Sequence, residues 1–182
     1  MKPPIYHGSD VIVVTPIILK ENEHTDFGEG FYCTTSHSQA EAWAIEKYYT
    51  SSKDQAVVNH YQLAEITKDF KFLNFQYPSI EWIRFVCNNR YTPEYSHDYD
   101  IVYGPLADNH LKRWFDKFKD GEITEEQLRI KAIEHNQEKG LKDQYLFHTN
   151  KALSLLTFLK AEIIQIDLLT GKKTKKIWTQ KR

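Results

Sequence analysis

Three short stretches of this chain carry residues able to do chemistry together. The first is Tyr6-His7-Gly8-Ser9, closing an apolar opening segment. The second is Thr25-Asp26-Phe27-Gly28-Glu29-Gly30-Phe31-Tyr32-Cys33-Thr34-Thr35, followed by Gln39-Ala40 and Trp43-Ala44. The third is Asp143-Gln144-Tyr145-Leu146-Phe147-His148-Thr149, leading into Asn150-Lys151-Ala152-Leu153. Gly8 has no Cβ, so its peptide groups can approach a ligand closely, while His7 and Ser9 flank it with side-chain donors and acceptors. Gly28 and Gly30 permit a tight loop that delivers Phe31 and Tyr32 onto a strand, where alternate side chains face opposite ways. Aromatic faces beside a main-chain amide clamp make a slot for a flat heteroaromatic amide. Taken alone, the same residues also fit an aromatic core with a turn.

The order and spacing of these pieces resemble the ADP-ribosyltransferase superfamily, in its His-Tyr-Glu branch of diphtheria-toxin-like and poly(ADP-ribose)-polymerase-like enzymes. The matching residues are His7-Gly8-Ser9, Gly30-Phe31-Tyr32, then Ala40 and Trp43 on the following helix, and the strand at Gln144-Tyr145-Leu146-Phe147. The segment Tyr99-Asp100-Ile101-Val102-Tyr103-Gly104-Pro105 is similar to one in DUF3990, a family of small bacterial proteins within that superfamily.

The resemblance implies a cleft that binds NAD+ as substrate. Gly8 would hold the nicotinamide carboxamide with Ser9 in support, Tyr32 and Trp43 would cover the cationic ring, and His7 would bind the adenine ribose. Gln144, His7 and Tyr32 become the catalytic positions. The reaction implied is cleavage of the nicotinamide–ribose bond through an oxocarbenium-like transition state, with ADP-ribose passed to a macromolecular acceptor, protein or nucleic acid. Gln144 stands where the superfamily has glutamate. It can accept a hydrogen bond from a ribose hydroxyl but brings no negative charge, a loss of about 1.5–3 kcal/mol or one to two decades in rate. Asp26 and Glu29, on the loop before Tyr32, are the preferred candidates to supply charge instead, the alternative being plain solvated loop acids. Asp143 should point to the opposite strand face. Membership of the small family suggests an intracellular toxin of a toxin–antitoxin or phage-related system, with a neutralising antitoxin as partner. An NAD+ or ADP-ribose binding module of weak activity, and a simple NAD+ glycohydrolase, are the alternatives.

The elements that must position these residues are those of ordinary globular stock. Among 182 residues, 41% are hydrophobic and 27% charged, with 7 Gly, 6 Pro and one Met, which excludes collagen-like, linker-dominated and Met-rich binding classes. The longest apolar run, Val11 to Leu19, is about half a membrane span. The opening Met-Lys-Pro-Pro leaves no room for a signal peptide, so a cytoplasmic protein without membrane contact is expected. Cys33 and Cys87 read as small buried hydrophobes. No histidine spacing with His7 or His148 suits zinc or iron, so no metal is expected. The net charge is −1, yet six of the 24 basic residues fall in 172–182 without an acid. That run is either a phosphate-seeking tail or a solvated terminus.

Strand-like runs are Ile5–His7, Val11–Val14, Phe31–Thr34, Val57–Leu63, Phe70–Phe75, Tyr99–Tyr103, Gln144–Thr149 and Ile163–Leu168, with a short strand near Lys176–Trp178 after the Gly171 turn. Ser36, Ser79, Asp108 and Thr124 read as helix caps, and Asn150 opens a short apolar helix through Leu159. Strands and helices interleave without strict βαβ alternation. The expectation is a single α+β domain over 1–182, with an ADP-ribosyltransferase-like split mixed sheet and flanking helices.

Overall fold

The computed structural model describes residues 3–18, 25–51, 53, 55–140, 142–167 and 169–180. Their order is β1 (Ile5–Ser9), β2 (Phe31–Cys33), α1 (His37–Thr50), β3 (Ala56–Leu63), β4 (Phe72–Asn74), α2 (Ile80–Tyr91), β5 (Ile101–Pro105), α3 (Asn109–Lys119), α4 (Glu125–Lys139), β6 (Asp143–Phe147), α5 (Asn150–Leu153), β7 (Leu156–Ile166) and β8 (Lys173–Trp178). The fold is α+β. One four-stranded sheet, β1-β3-β7-β8, is antiparallel. The other, β2-β6-β5-β4, is mixed, because β4 and β5 run parallel.

Period-2 alternation assigns each strand face to its neighbour layer. Ile5, Tyr61, Phe31, Cys33, Ile101 and Phe147 pack together where the sheets meet. The opposite face of the antiparallel sheet, with Val58 and Ile164, packs on Ala40 and Ala44 of α1. The opposite face of the mixed sheet, with Val102 and Leu146, packs on α2, α3 and α4 through Trp82, Phe115 and Leu128. The helices start where the sequence places caps. Ser36, Ser79, Asp108 and Thr124 each accept from a first-turn backbone N–H, and Thr124 with Gln127 closes a full capping box.

Several expected elements come out differently. Val11–Val14 is not a strand. The Asn59 side chain accepts from Val13 N and donates to Val11 O, and the Tyr61 hydroxyl bonds to Val13 O, so side chains replace the ladder there. The Asn150 helix ends at Leu153, and the apolar residues after it start β7, whose pairing with β3 outweighs a weak local helix preference. The basic run is not a free tail in its described part. Lys173, Lys175 and Lys176 lie in β8, an edge strand where lysines discourage further pairing. Lys181 and Arg182 lie outside the described residues, as do Leu19 and Leu168. No described helix is long and apolar enough to cross a membrane.

Candidate functional site

The two sheets touch along their edges at β1 and β2. Tyr6 and Thr34 exchange both backbone hydrogen bonds at 2.8 Å, a single antiparallel bridge. Continuing that register would set Gly8 opposite Tyr32. Here the strands instead belong to separate sheets and part, leaving a wedge. Backbone groups alternate along a strand, so Gly8 N–H and C=O share the edge of Tyr6 and point into the wedge rather than at β3. The other reason for glycine lies on its helix side. A Cβ there would sit 2.2 Å from Ala40 O and 2.9 Å from Ala44 N, so glycine lets α1 lie directly on β1.

His7 spans the wedge. Its Nδ1 donates to the Tyr32 carbonyl at 2.7 Å, and its ring lies 4.3 Å from that of Phe31. Burial lowers its pKa to about 4, against the raising effect of that hydrogen bond, with Lys47 lowering it further. The ring is therefore neutral, protonated on Nδ1, and offers Nε2 as an acceptor. The Tyr32 hydroxyl is clasped by the loop before it, 2.7 Å from Gly28 O and 2.9 Å from Thr25 Oγ1, and 3.2 Å from the Phe27 N–H it accepts. Burial pushes this phenol well above its ordinary range, so it stays protonated. Ser9 is buried and its Oγ accepts from Val11 N at 3.3 Å, holding the turn after β1.

Trp43 lies on α1 between the two alanines that meet Gly8 and is 50% exposed. The Lys47 ammonium sits over its ring, 5.5 Å from the centroid. Both stand on the helix that packs directly on Gly8. The structure thus brings His7, Gly8 and Tyr32 together at one seam, with Trp43 and Lys47 on the helix that packs on Gly8. A concavity of about 420 Å³, lined by Ile5, Thr35, Leu63, Phe72 and Tyr145 among others, contains none of these residues. The main-chain and imidazole groups converge at the wedge, and it is the better candidate.

Gln144 is buried in β6. Its Nε2 donates to Asp26 Oδ2 at 2.6 Å, which fixes the amide orientation and leaves Oε1 as the atom on offer. Asp26 departs from the expectation of a loop acid supplying charge to the site. It is 4% exposed, ion-paired with Arg90, and accepts from Ala107 N at 2.7 Å. Burial pushes its carboxyl up, opposed by Arg90, Ala107 N–H and the Gln144 amide. Composition offers no sign of this, because Arg90 lies on α2 and only the fold joins it to the loop. Glu29 is half-buried, and its backbone carbonyl accepts from His148 Nδ1 at 2.7 Å. Asp143 points away from Gln144, as expected, and gathers Thr34, Thr35 and Tyr103 onto its carboxylate.

No curated protein and no solved structure matches this chain. Residues 4–158, from the first strand through the start of β7, match the model of a family described as a protein of unknown function, DUF3990. The match spans every element of the wedge, and the chain belongs to the DUF3990 family.

Proposed function

We propose that the wedge between β1 and β2 binds NAD+ and that the protein is a mono-ADP-ribosyltransferase. The observation that supports this most is the parting of the strands at Gly8 and Tyr32, which aims a donor and an acceptor of one peptide unit's neighbourhood at the same gap. A carboxamide needs that pair. The face of Trp43 already draws a cation in Lys47, and a pyridinium ring would take the ammonium's place there. The neutral His7 Nε2 suits a ribose hydroxyl as donor. Gln144 Oε1 would accept from the other ribose, backed by the Asp26 carboxylate on its Nε2. Stabilisation of a developing oxocarbenium then comes from an oriented amide dipole rather than a full charge.

A second reading, an NAD+ or ADP-ribose binding module with little turnover, is favoured by one fact. The buried carboxylate bonded to Gln144, Asp26, is committed to Arg90. Incubation with NAD+ and cell lysate separates the readings. Free nicotinamide with one ADP-ribosyl group added to protein or nucleic acid supports transfer. Nicotinamide without label supports hydrolysis, and saturable binding without release supports the module. An intracellular toxin role, with an antitoxin that covers the wedge, belongs to the transfer reading and fails with it.

A further inference from the structure

On the α1 side of the antiparallel sheet, around Tyr6, three distant stretches of sequence converge. His37 is the first residue of α1, His60 lies in β3 and Glu162 in β7. His37 Nε2 is 2.9 Å from Glu162 Oε2, and His60 Nε2 is 3.0 Å from Glu162 Oε1. Their three ligand atoms lie within 4.8 Å of one another. We propose that His37, His60 and Glu162 form a binding site for one divalent first-row transition-metal ion of the zinc class, with the remaining coordination position left to water.

The donor set is that of an open zinc site, two imidazoles and a carboxylate. Bond lengths of about 2.0–2.2 Å to such an ion require ligand atoms roughly 3.3–3.5 Å apart, so small side-chain rotations bring these three into place. His60 is 4% exposed, and its Nε2 is buried without a hydrogen-bond partner despite its closeness to the carboxylate. A buried imidazole nitrogen in that condition is costly unless something else meets it. The Tyr6 ring holds both imidazoles by edge contacts, 5.2 Å from His37 and 4.9 Å from His60.

The place attracts cations already. Lys160 Nζ is 3.2 Å from Glu162 Oε1, and Lys175 Nζ is 3.8 Å from Oε2. Both are long, part-exposed side chains that can swing into solvent, and Lys175 has a second partner in Glu41 at 2.6 Å. His37 is the solvent-facing ligand and gives an ion its entry path.

The test titrates the metal-stripped full chain with Co2+ and Zn2+. The expected result is one equivalent of Co2+ per chain, seen as visible ligand-field absorption that Zn2+ abolishes, together with an upward shift of the thermal midpoint in Zn2+. His37→Ala, at a part-exposed position, and Glu162→Gln, which keeps the shape, should each weaken binding at least tenfold. Both should remove the thermal shift while leaving the metal-free far-UV spectrum unchanged. Absence of saturable binding overturns the proposal, and so does binding undiminished in both variants. The outcome is independent of NAD+ binding at the wedge.

Discussion

His7 Nδ1 lies 2.7 Å from the carbonyl oxygen of Tyr32, so one imidazole joins the two sheets just where their backbones part. That contact sets the width of the wedge and, by fixing the tautomer, decides which atom faces it. His7→Ala should therefore weaken NAD+ binding at least tenfold, measured by calorimetry. Retention of full affinity would remove His7, and with it the wedge, from the binding site.

The same histidine makes stability depend on pH. Unfolded, His7 takes a proton near 6.5; folded, burial holds it neutral down to about 4. Between those values the unfolded state binds more protons, so stability is full above the upper limit and is lost as pH falls toward the lower one. A shift of this size corresponds to on the order of 3 kcal/mol. His60 contributes with the same sign, so the comparison must be internal. Urea midpoints at pH 7.5 and 4.5 should differ less in His7→Gln than in the parent chain.

Gly8→Ala is expected to be severely destabilising. The new methyl meets Ala40 O at 2.2 Å and Ala44 N at 2.9 Å, both helix backbone, which cannot yield as a flexible side chain would. Forcing α1 away from β1 should cost about 3 kcal/mol or more, at the upper end for overpacked cores. Denaturant unfolding checks this. A variant of near-parental stability would mean that α1 is not held tightly on β1.

Trp43→Ala offers the complementary case. With half of its surface exposed and Lys47 over its ring, Trp43 lies outside the buried core, and the loss of stability should stay below about 2 kcal/mol, less than for a fully buried Trp. If a pyridinium ring uses that face, affinity for NAD+ should fall several-fold while affinity for ADP-ribose, which lacks the ring, stays constant. Equal losses for both ligands would argue against stacking.

What could be read from the sequence follows the range of the interactions involved. Helix starts were legible because Ser36, Ser79, Asp108 and Thr124 act within one turn of themselves. The two strands at His7-Gly8 and Phe31-Tyr32 were legible too, from residue type and alternation. Val11–Val14 was not, since its conformation is set by the side chains of Asn59 and Tyr61 in another strand. The short apolar stretch after Asn150 is ambiguous between helix and strand, and only its pairing partner β3 decides it. Asp26 looked like a loop acid because its partners, Arg90 and Gln144, arrive from a helix and a strand far along the chain. His37, His60 and Glu162 share no local spacing at all; three elements must pack before they meet.

Gln144 and Asp26 allow the missing charge to be moved rather than added. Gln144→Glu alone sets two carboxylates where an amide now donates at 2.6 Å, and a buried pair of that kind cannot hold both charges unless one takes a proton. The folded variant then binds a proton that the unfolded chain gives up, so its stability should fall as pH rises from 5.5 to 8. Combining it with Asp26→Asn restores one acid, one amide and the Arg90 counter-charge, with the carboxylate now on β6. The double variant should recover most of the lost stability and lose most of that pH dependence. If the wedge cleaves NAD+ through an oxocarbenium-like state, the carboxylate should speed nicotinamide release about tenfold or more over the parent chain, from about 1.5–3 kcal/mol of charge-assisted contact. A double variant that folds well yet releases nicotinamide no faster would show that position 144 does not face the reacting ribose.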